Sequence, residues 1–521
     1  MADLETRGDR LAEQGVANLA ATALPLVATL LITPSLVRTL GFTAYGVYQL
    51  LLSLAAFMTL LDFNLGSATT YLVAKECGRG DRGRAGSVVR ASLLAHLLLG
   101  LSAALAAGLG GDSIMRWIAR GHAEAPVARW SEVAGATTLV AATFLLGGAA
   151  AVAGGVGRIA AAAAASGLAA TLGIVGTWAL ALGGCGLDAL LAWQALCALV
   201  AATALAALGL RELGGSWAGA GVADLSSLRP LFAYGAAGYL GRAAATLSTQ
   251  LDRMLLAAAA RVEAVTVYAV CSRLATVLTT AGSRLGFPLV PWVSAHQHDR
   301  DGGALLRQRY QESARLLGVA SAFLAGLLVG LAAPLLELWM GPQFAVTGAP
   351  VLAVLGLAQL FGALTVVPSC FAMGSGRPAL CGMGHMVQTI TMLSMIPPLA
   401  RAHGALGAAL AALVCGSVFG MAFVLFVERR VVGLGGLGLA PLYVRLVTVV
   451  AAMTATAWTF EPLAPGGVAA RLALEAAAAA IAGTIVAWTV GAIRFGDMEQ
   501  LANEGRRFVI RFRRRRHREP R

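Results

Sequence analysis

LGFTAYGVYQLLLSLAAFMTLLDFNLGSATTYLVAKE, from Leu40 to Glu76, sets the class of this chain. The run from 45 to 68 inside it carries a single charge, Asp62. At about 1.5 Å per residue a helix of that length crosses the roughly 30 Å hydrocarbon core of a bilayer. It leads into KECGRGDRGRAGSVVR, residues 75 to 90, which is polar and carries Lys75, Arg79, Arg82, Arg84 and Arg90. An apolar run closed by clustered basic residues reads as a spanning helix that ends at a membrane surface.

The same ruler, applied outward, places further helices near 15–37, 87–110, 133–153, 159–182 and 187–210, then near 231–257, 264–290, 315–336, 349–373, 379–399, 404–427, 441–459 and 468–492. The expected fold is therefore an all-α polytopic membrane protein of about 14 transmembrane helices. Composition agrees. Of 521 residues 58% are hydrophobic and 12% charged, whereas a soluble chain carries about twice that charge. No polar block is long enough for a separate soluble domain. The first apolar run follows MADLETRGDR and is not closed by a small-residue cleavage site, so it reads as a spanning helix and not a signal peptide. The seven cysteines show no CxxC spacing and fall mostly in apolar runs, where they read as small core residues.

The net charge of +13 is not a nucleic-acid signature, because ten arginines lie between Arg494 and Arg521, directly after the last apolar run. Counting Lys and Arg in alternate loops with both ends cytoplasmic puts 28 on the inner side and seven on the outer. That asymmetry predicts an even number of spans with both termini on the cytoplasmic side.

Sliding the chain against itself by 220 residues aligns Ala44, Val47, Tyr48, Leu54, Ala55 and Thr59 with Ala264, Val267, Tyr268, Leu274, Ala275 and Thr279. The offset equates helices 1 and 2 with helices 7 and 8. It predicts two six-helix bundles, 15–210 and 231–430, around a central cavity, with a cytoplasmic linker at 211–230. Two additional helices at 441–492, a cytoplasmic N-terminus at 1–14 and an Arg-rich cytoplasmic tail at 493–521 complete the organisation.

Charge inside a spanning helix costs at least ~2.5 kcal/mol on insertion scales, and here it is patterned. Arg242, Thr246, Thr249 and Arg253 share one face of helix 7, and Arg273, Thr276, Thr280 and Arg284 share one face of helix 8. Two such stripes lining a water-filled cavity would hold an anionic headgroup such as a diphosphate. The competing reading, strongest for Arg253 and Arg284 near helix ends, is snorkelling to the interface. Asp252 reads as an ion-pair partner for a neighbouring helix. Asp62 reads either as a coupling site for an H+ or Na+ gradient or as the salt-bridge partner of a cavity arginine. His96 and His385 are candidate proton carriers or packed residues. Pro25, Pro34, Pro288, Pro291, Pro397 and Pro398 mark expected bends, and GLAATLGIVG (167–176) a close-packing face.

The Leu40–Glu76 segment resembles the start of the polysaccharide transporter branch of the MOP superfamily, the Wzx-like O-antigen repeat-unit flippases. There an LG-x-x-x-[FY]-G-x-[YW] stretch leads to a D-[FL]-G-L-like motif. Here that motif is DFNL, with Asn64 in place of the more usual glycine. TQLDRMLLAAAARVEAVTVYAVCSRLA is similar to the family's helix 7 to 8 junction, and LWMGPQF through GSGRPAL to its helix 9 to 11 region. The resemblance implies two six-helix bundles with two C-terminal helices, no enzymatic activity and no cofactor. It also implies a cargo of undecaprenyl-diphosphate-linked oligosaccharide and, as partners, a polysaccharide polymerase with its chain-length machinery. The matching positions are Asp62, Asp252, Arg253, Tyr268 and Arg273.

Three rivals are weighed. A multidrug antiporter for organic cations calls for intramembrane carboxylates, and here the buried charges are mainly arginines. A lipid II flippase carries the same diphosphate and stays open. A membrane polymerase or ligase usually has a large outer loop, whereas the longest here spans only about residues 110–132.

Overall fold

The computed structural model describes residue 21 and residues 23–119, 129–214, 228–286, 289–296, 302–435, 438–461 and 467–492. The N-terminal segment, the 215–227 linker, Pro288 and the Arg-rich tail fall outside these, as does the side chain of Arg284. The described residues are helical throughout apart from turns, as a bilayer demands of a chain whose backbone polar groups cannot turn to water.

Thirteen described helices are long and apolar enough to cross a membrane. A further helix, Leu228–Ala259, has 32 residues but carries Arg229, Arg242, Asp252 and Arg253. With it, each span read from the sequence has its helix. Outward faces are apolar and bare: Leu31, Leu109, Ile481 and Trp488 are all more than half exposed, which only lipid accommodates.

By packing the chain divides into two compact units. The first comprises residues 1–270 and 385–408. It contains α1 (Ala23–Leu40), α2 (Phe42–Met58), α3 (Leu65–Gly78), α4 (Arg82–Ala119), α5 (Trp130–Gly155), α6 (Ile159–Leu182), α7 (Leu187–Leu213), α8 (Leu228–Ala259) and the first turns of α9 (Val262–Gly286). Glycines bring these helices close. A Cβ on Gly155 would stand 2.6 Å from Val73, one on Gly209 2.8 Å from Val152, and one on Gly167 2.6 Å from the backbone of Ala21. The last contact sits in the expected packing face of α6.

The start of α2 packs on the start of α9 reciprocally. Thr266 donates to the carbonyl of Phe42 (2.6 Å), and Gly46 lies so close to Val262 that a Cβ would meet it at 2.7 Å. Under the 220-residue offset Phe42 corresponds to Val262 and Gly46 to Thr266, so each position touches the counterpart of the other. Thr43 donates to Glu263, its own counterpart, at 2.8 Å. That is the pattern of an isologous contact.

The second unit comprises residues 271–384 and 409–521. Its described helices are the rest of α9, α10 (Leu289–His296), α11 (Gly302–Gly330), α12 (Ala332–Met340), α13 (Pro342–Leu364), α14 (Val366–Gly374), the start of α15 (Pro378–His403), most of α16 (Ala405–Val427), α17 (Ala440–Phe460) and α18 (Val468–Thr489). α17 joins the core through Leu446, Val450, Met453 and Ala457, packed with Ala322, Ala325 and Leu360. From residue 385 α15 belongs to the first unit, and it stays helical through Pro397 and Pro398, two of the expected bend positions.

Candidate functional site

The span expected as one helix from 45 to 68 is broken. After α2 a tight turn, Thr59–Asp62, is followed by Phe63 (φ 47°) and Asn64 (φ 59°), both left-handed, and only then by α3. Asparagine tolerates this conformation, which explains how it stands where the resemblance leads one to expect glycine. Phenylalanine does not favour it, and its ring is held at 5.3 Å from Tyr239 and 6.3 Å from Phe232, both on α8. α8 approaches so closely that a Cβ on Gly235 would lie 2.5 Å from the Phe63 carbonyl. About two turns along α3, Tyr71 stacks on Tyr234 at 4.4 Å.

This break delivers Asp62 to a cluster. Its Oδ2 lies 3.0 Å from the Arg242 guanidinium of α8 and its Oδ1 3.3 Å from His96 Nε2 of α4. Arg242 also reaches the Asn64 carboxamide oxygen at 3.5 Å, and the same oxygen accepts from Ser67 at 2.9 Å. Behind the imidazole, His96 Nδ1 is 2.8 Å from the Ser92 carbonyl, and the Ser92 hydroxyl is 2.6 Å from that of Thr69. His96 fits because position 148 is glycine, where a Cβ would stand 2.8 Å from the ring. Polar groups thus line up from Thr69 through Ser92 and His96 to Asp62 and Arg242, on α3, α4 and α8, with the 3.3 Å contact between Asp62 Oδ1 and His96 Nε2 a close approach and not a hydrogen bond.

Burial grades along this line. The side chains of His96 and Asp62 are 2% and 10% exposed, that of Arg242 42%. The carboxylate is enclosed, while the guanidinium keeps donors on an open face. One Asp62 oxygen holds Arg242, and the fork's remaining N–H groups can meet an anion from outside. The helix break adds half-helix ends at the same depth, an arrangement that favours charged ligands.

The other expected site residues are placed as follows. Asp252 is buried and accepts from the Tyr268 hydroxyl at 3.0 Å and from the Arg253 backbone N–H at 2.7 Å, so among the described residues its hydrogen-bond partner on the neighbouring helix is a tyrosine. Arg253 is half-buried, with its Nε enclosed and without a hydrogen-bond partner among the described residues. Along α8, Thr249 joins Arg242 on the open face. Arg273 belongs to the second unit, half-buried on α9, with Thr276 and Thr280 of its stripe exposed. The sequence reading separated Asp62 from His96; the structure joins them. Their link had no signal in spacing, since it depends on where α4 and α5 pack.

Residues 125–348 match the family described as "Polysaccharide biosynthesis protein". No curated protein matches the sequence. Among solved structures, the chain is similar to the lipid II flippase MurJ in an inward closed conformation (TM-score 0.70, 10% identity, covering 93% of this chain and 99% of that one). It is also similar to a multidrug resistance MATE family transporter of the MOP superfamily in an inward-facing conformation (0.62, 15%, 79% and 98%). A third is a MOP superfamily transporter from Pyrococcus furiosus described as having a binding pocket of reverse polarity (0.51, 14%, 81% and 95%). At these identities the likeness establishes the fold.

Proposed function

We propose that this multi-pass membrane protein, a MOP-fold transporter associated with polysaccharide biosynthesis, flips undecaprenyl-diphosphate-linked oligosaccharide from the cytoplasmic to the periplasmic leaflet of a bacterial inner membrane. The observation that carries the reading is Arg242, a cation on α8 held at 3.0 Å by the buried Asp62 carboxylate while its own side chain stays 42% exposed. A cation so placed suits a cargo whose charge is a diphosphate, and the planar guanidinium suits paired phosphate oxygens. In this reading Arg273, Arg253 and Arg284 supply further positive charge for the headgroup. Asp62 with His96 forms the polar element through which an H+ or Na+ gradient couples to release, and a polymerase with its chain-length machinery consumes the product.

The test is deletion followed by mass spectrometry of the lipid-linked sugar that accumulates, with its leaflet assigned by enzymatic accessibility in inside-out vesicles. Accumulation of a polyprenyl-diphosphate oligosaccharide in the cytoplasmic leaflet is expected. Accumulation of lipid II would assign the chain to cell-wall precursor flipping instead, and a selective rise in sensitivity to organic cations would point to drug antiport.

A further inference from the structure

The second unit holds a cleft of about 740 Å³ lined by Gly376, Arg377, Ala379, Leu380, Phe426 and Arg430. Both arginines come from segments with fixed backbones. α14 ends in a left-handed Gly376 (φ 73°), whose N–H bonds to the Met373 carbonyl (3.0 Å) while that of Arg377 bonds to Ala372 (2.9 Å). This is the paired closure that locks a helix C-terminus. Arg430 lies in a wide π-type turn, Glu428–Val432, that ends α16.

Glu428 anchors that turn. It is fully buried and accepts from the hydroxyls of Tyr443 (2.6 Å) and Tyr310 (3.2 Å) and from the Leu439 N–H (3.1 Å), while its carbonyl accepts from Leu434 (2.8 Å). Arg377 then donates to the Arg430 carbonyl at 3.2 Å, tying the two walls together. Among the described residues neither arginine is paired with a carboxylate. Both belong to loops that the charge count assigns to the same, cytoplasmic face.

The chemistry above the arginines selects the ligand. Val414, Val418, Ala422 and Phe426 are exposed at four-residue intervals along α16, an apolar stripe that ends one turn before Arg430. A soluble phosphate has no use for such a stripe, whereas an acyl chain does. The N-terminus of α15, beginning at Pro378 beside the cleft, adds partial positive charge at the same level. The volume lies within the range of about 300–1,000 Å³ usual for small-molecule sites.

We infer that the Arg377–Arg430 cleft is a binding site for the headgroup of an anionic glycerophospholipid of the surrounding bilayer, its acyl chain lying along the exposed face of α16. This site is distinct from the Asp62–Arg242 cluster and does not depend on what that cluster carries.

The test is native mass spectrometry of the full chain released from nanodiscs of phosphatidylglycerol and phosphatidylcholine in equal amounts. The expected result is one preferentially retained phosphatidylglycerol. Its retention should fall about tenfold or more in an Arg377→Gln, Arg430→Gln double variant, from the loss of two cations at a membrane surface. Arg429→Gln, which alters a neighbouring exposed arginine outside the cleft, should leave retention unchanged. Three outcomes overturn the inference: equal retention of both lipids, an equal fall in Arg429→Gln, or displacement of the lipid by inorganic phosphate at millimolar concentration. A polyprenyl-diphosphate lipid retained by protein purified from cells and lost from the Arg377→Gln, Arg430→Gln double variant would overturn it too, assigning the cleft to cargo. Should the double variant fail to fold, Phe426→Asp tests the acyl contact with both arginines intact, and undiminished retention there also refutes the proposal.

Discussion

Arg242 and Asp62 are an unequal pair, one open and one enclosed, and that inequality decides how variants behave. Arg242→Ala removes the donor and strands a buried carboxylate. A fully buried pair broken this way costs ~3–5 kcal/mol; with the arginine 42% exposed, about 1–3 kcal/mol is expected here. Flipping of lipid-linked oligosaccharide, measured in reconstituted vesicles, should be lost. Lysine should restore part of it, since it keeps the charge but not the fork. The double variant Asp62→Asn, Arg242→Gln should recover most of the thermal stability and none of the transport, which separates binding from folding. If the double variant transported normally, the cation would be structural only. At His96 the prediction concerns space: Gly148→Ala drives a methyl to within 2.8 Å of the imidazole and should cost ~1–3 kcal/mol by thermal denaturation, with a loss of activity if the Asp62–His96 contact matters to transport.

At the scale of elements, the break between α2 and α3 is the feature that turns a membrane span into a site. Its two left-handed residues make opposite predictions. Asn64→Gly should be tolerated in folding within about 1 kcal/mol, since glycine adopts φ near 60° freely, but it deletes an oxygen facing Arg242 and should weaken transport. Asn64→Val should destabilise by ~1–3 kcal/mol, because a β-branched residue resists that conformation. Circular dichroism melts in detergent read both. The break itself was not legible as a break: hydropathy sees apolar residues from 45 to 68 and cannot register a turn inside them. DFNL marked the position, and the placement of α8 by Gly235, Tyr234 and Tyr239 gives the turn its purpose. The α8 stripe was legible because helical periodicity alone puts Arg242 and Thr249 on one face. The partners of Asp62 and Asp252 were not, because a partner is set by which helices touch. Among the described residues Asp252 meets a tyrosine, and at Asp62 a histidine lies beside the carboxylate that holds the arginine.

For the whole molecule, length and charge carried most of the reading. Each apolar run has helix at its place, the 45–68 run as two helices about a turn, and α8 has the length of a span although its four charged residues keep it out of the thirteen apolar ones. The topology that the arginine asymmetry implies remains a prediction: single cysteines introduced between Lys75 and Arg90 or in the tail of a cysteine-free variant should resist a membrane-impermeant thiol reagent in intact cells and react after permeabilisation. Labelling of the tail in intact cells would break the even count of spans.

The reciprocal contact between α2 and α9 constrains the chain in another way. Under the 220-residue offset Thr43 and Glu263 are counterparts, and the threonine donates to the carboxylate at 2.8 Å. If the two halves were identical copies, that place would have to accept its own image. Two threonines could share a proton, but two glutamates would set like charges against one another among apolar helices, where each would be costly to keep. A single continuous chain escapes the restriction, because a change on one half is not copied onto the other. Thr43→Glu reimposes the mirror and should loosen the junction, whereas exchanging the pair as Thr43→Glu, Glu263→Thr should keep it: the contact depends on the halves being unlike, and not on which of them holds the acid.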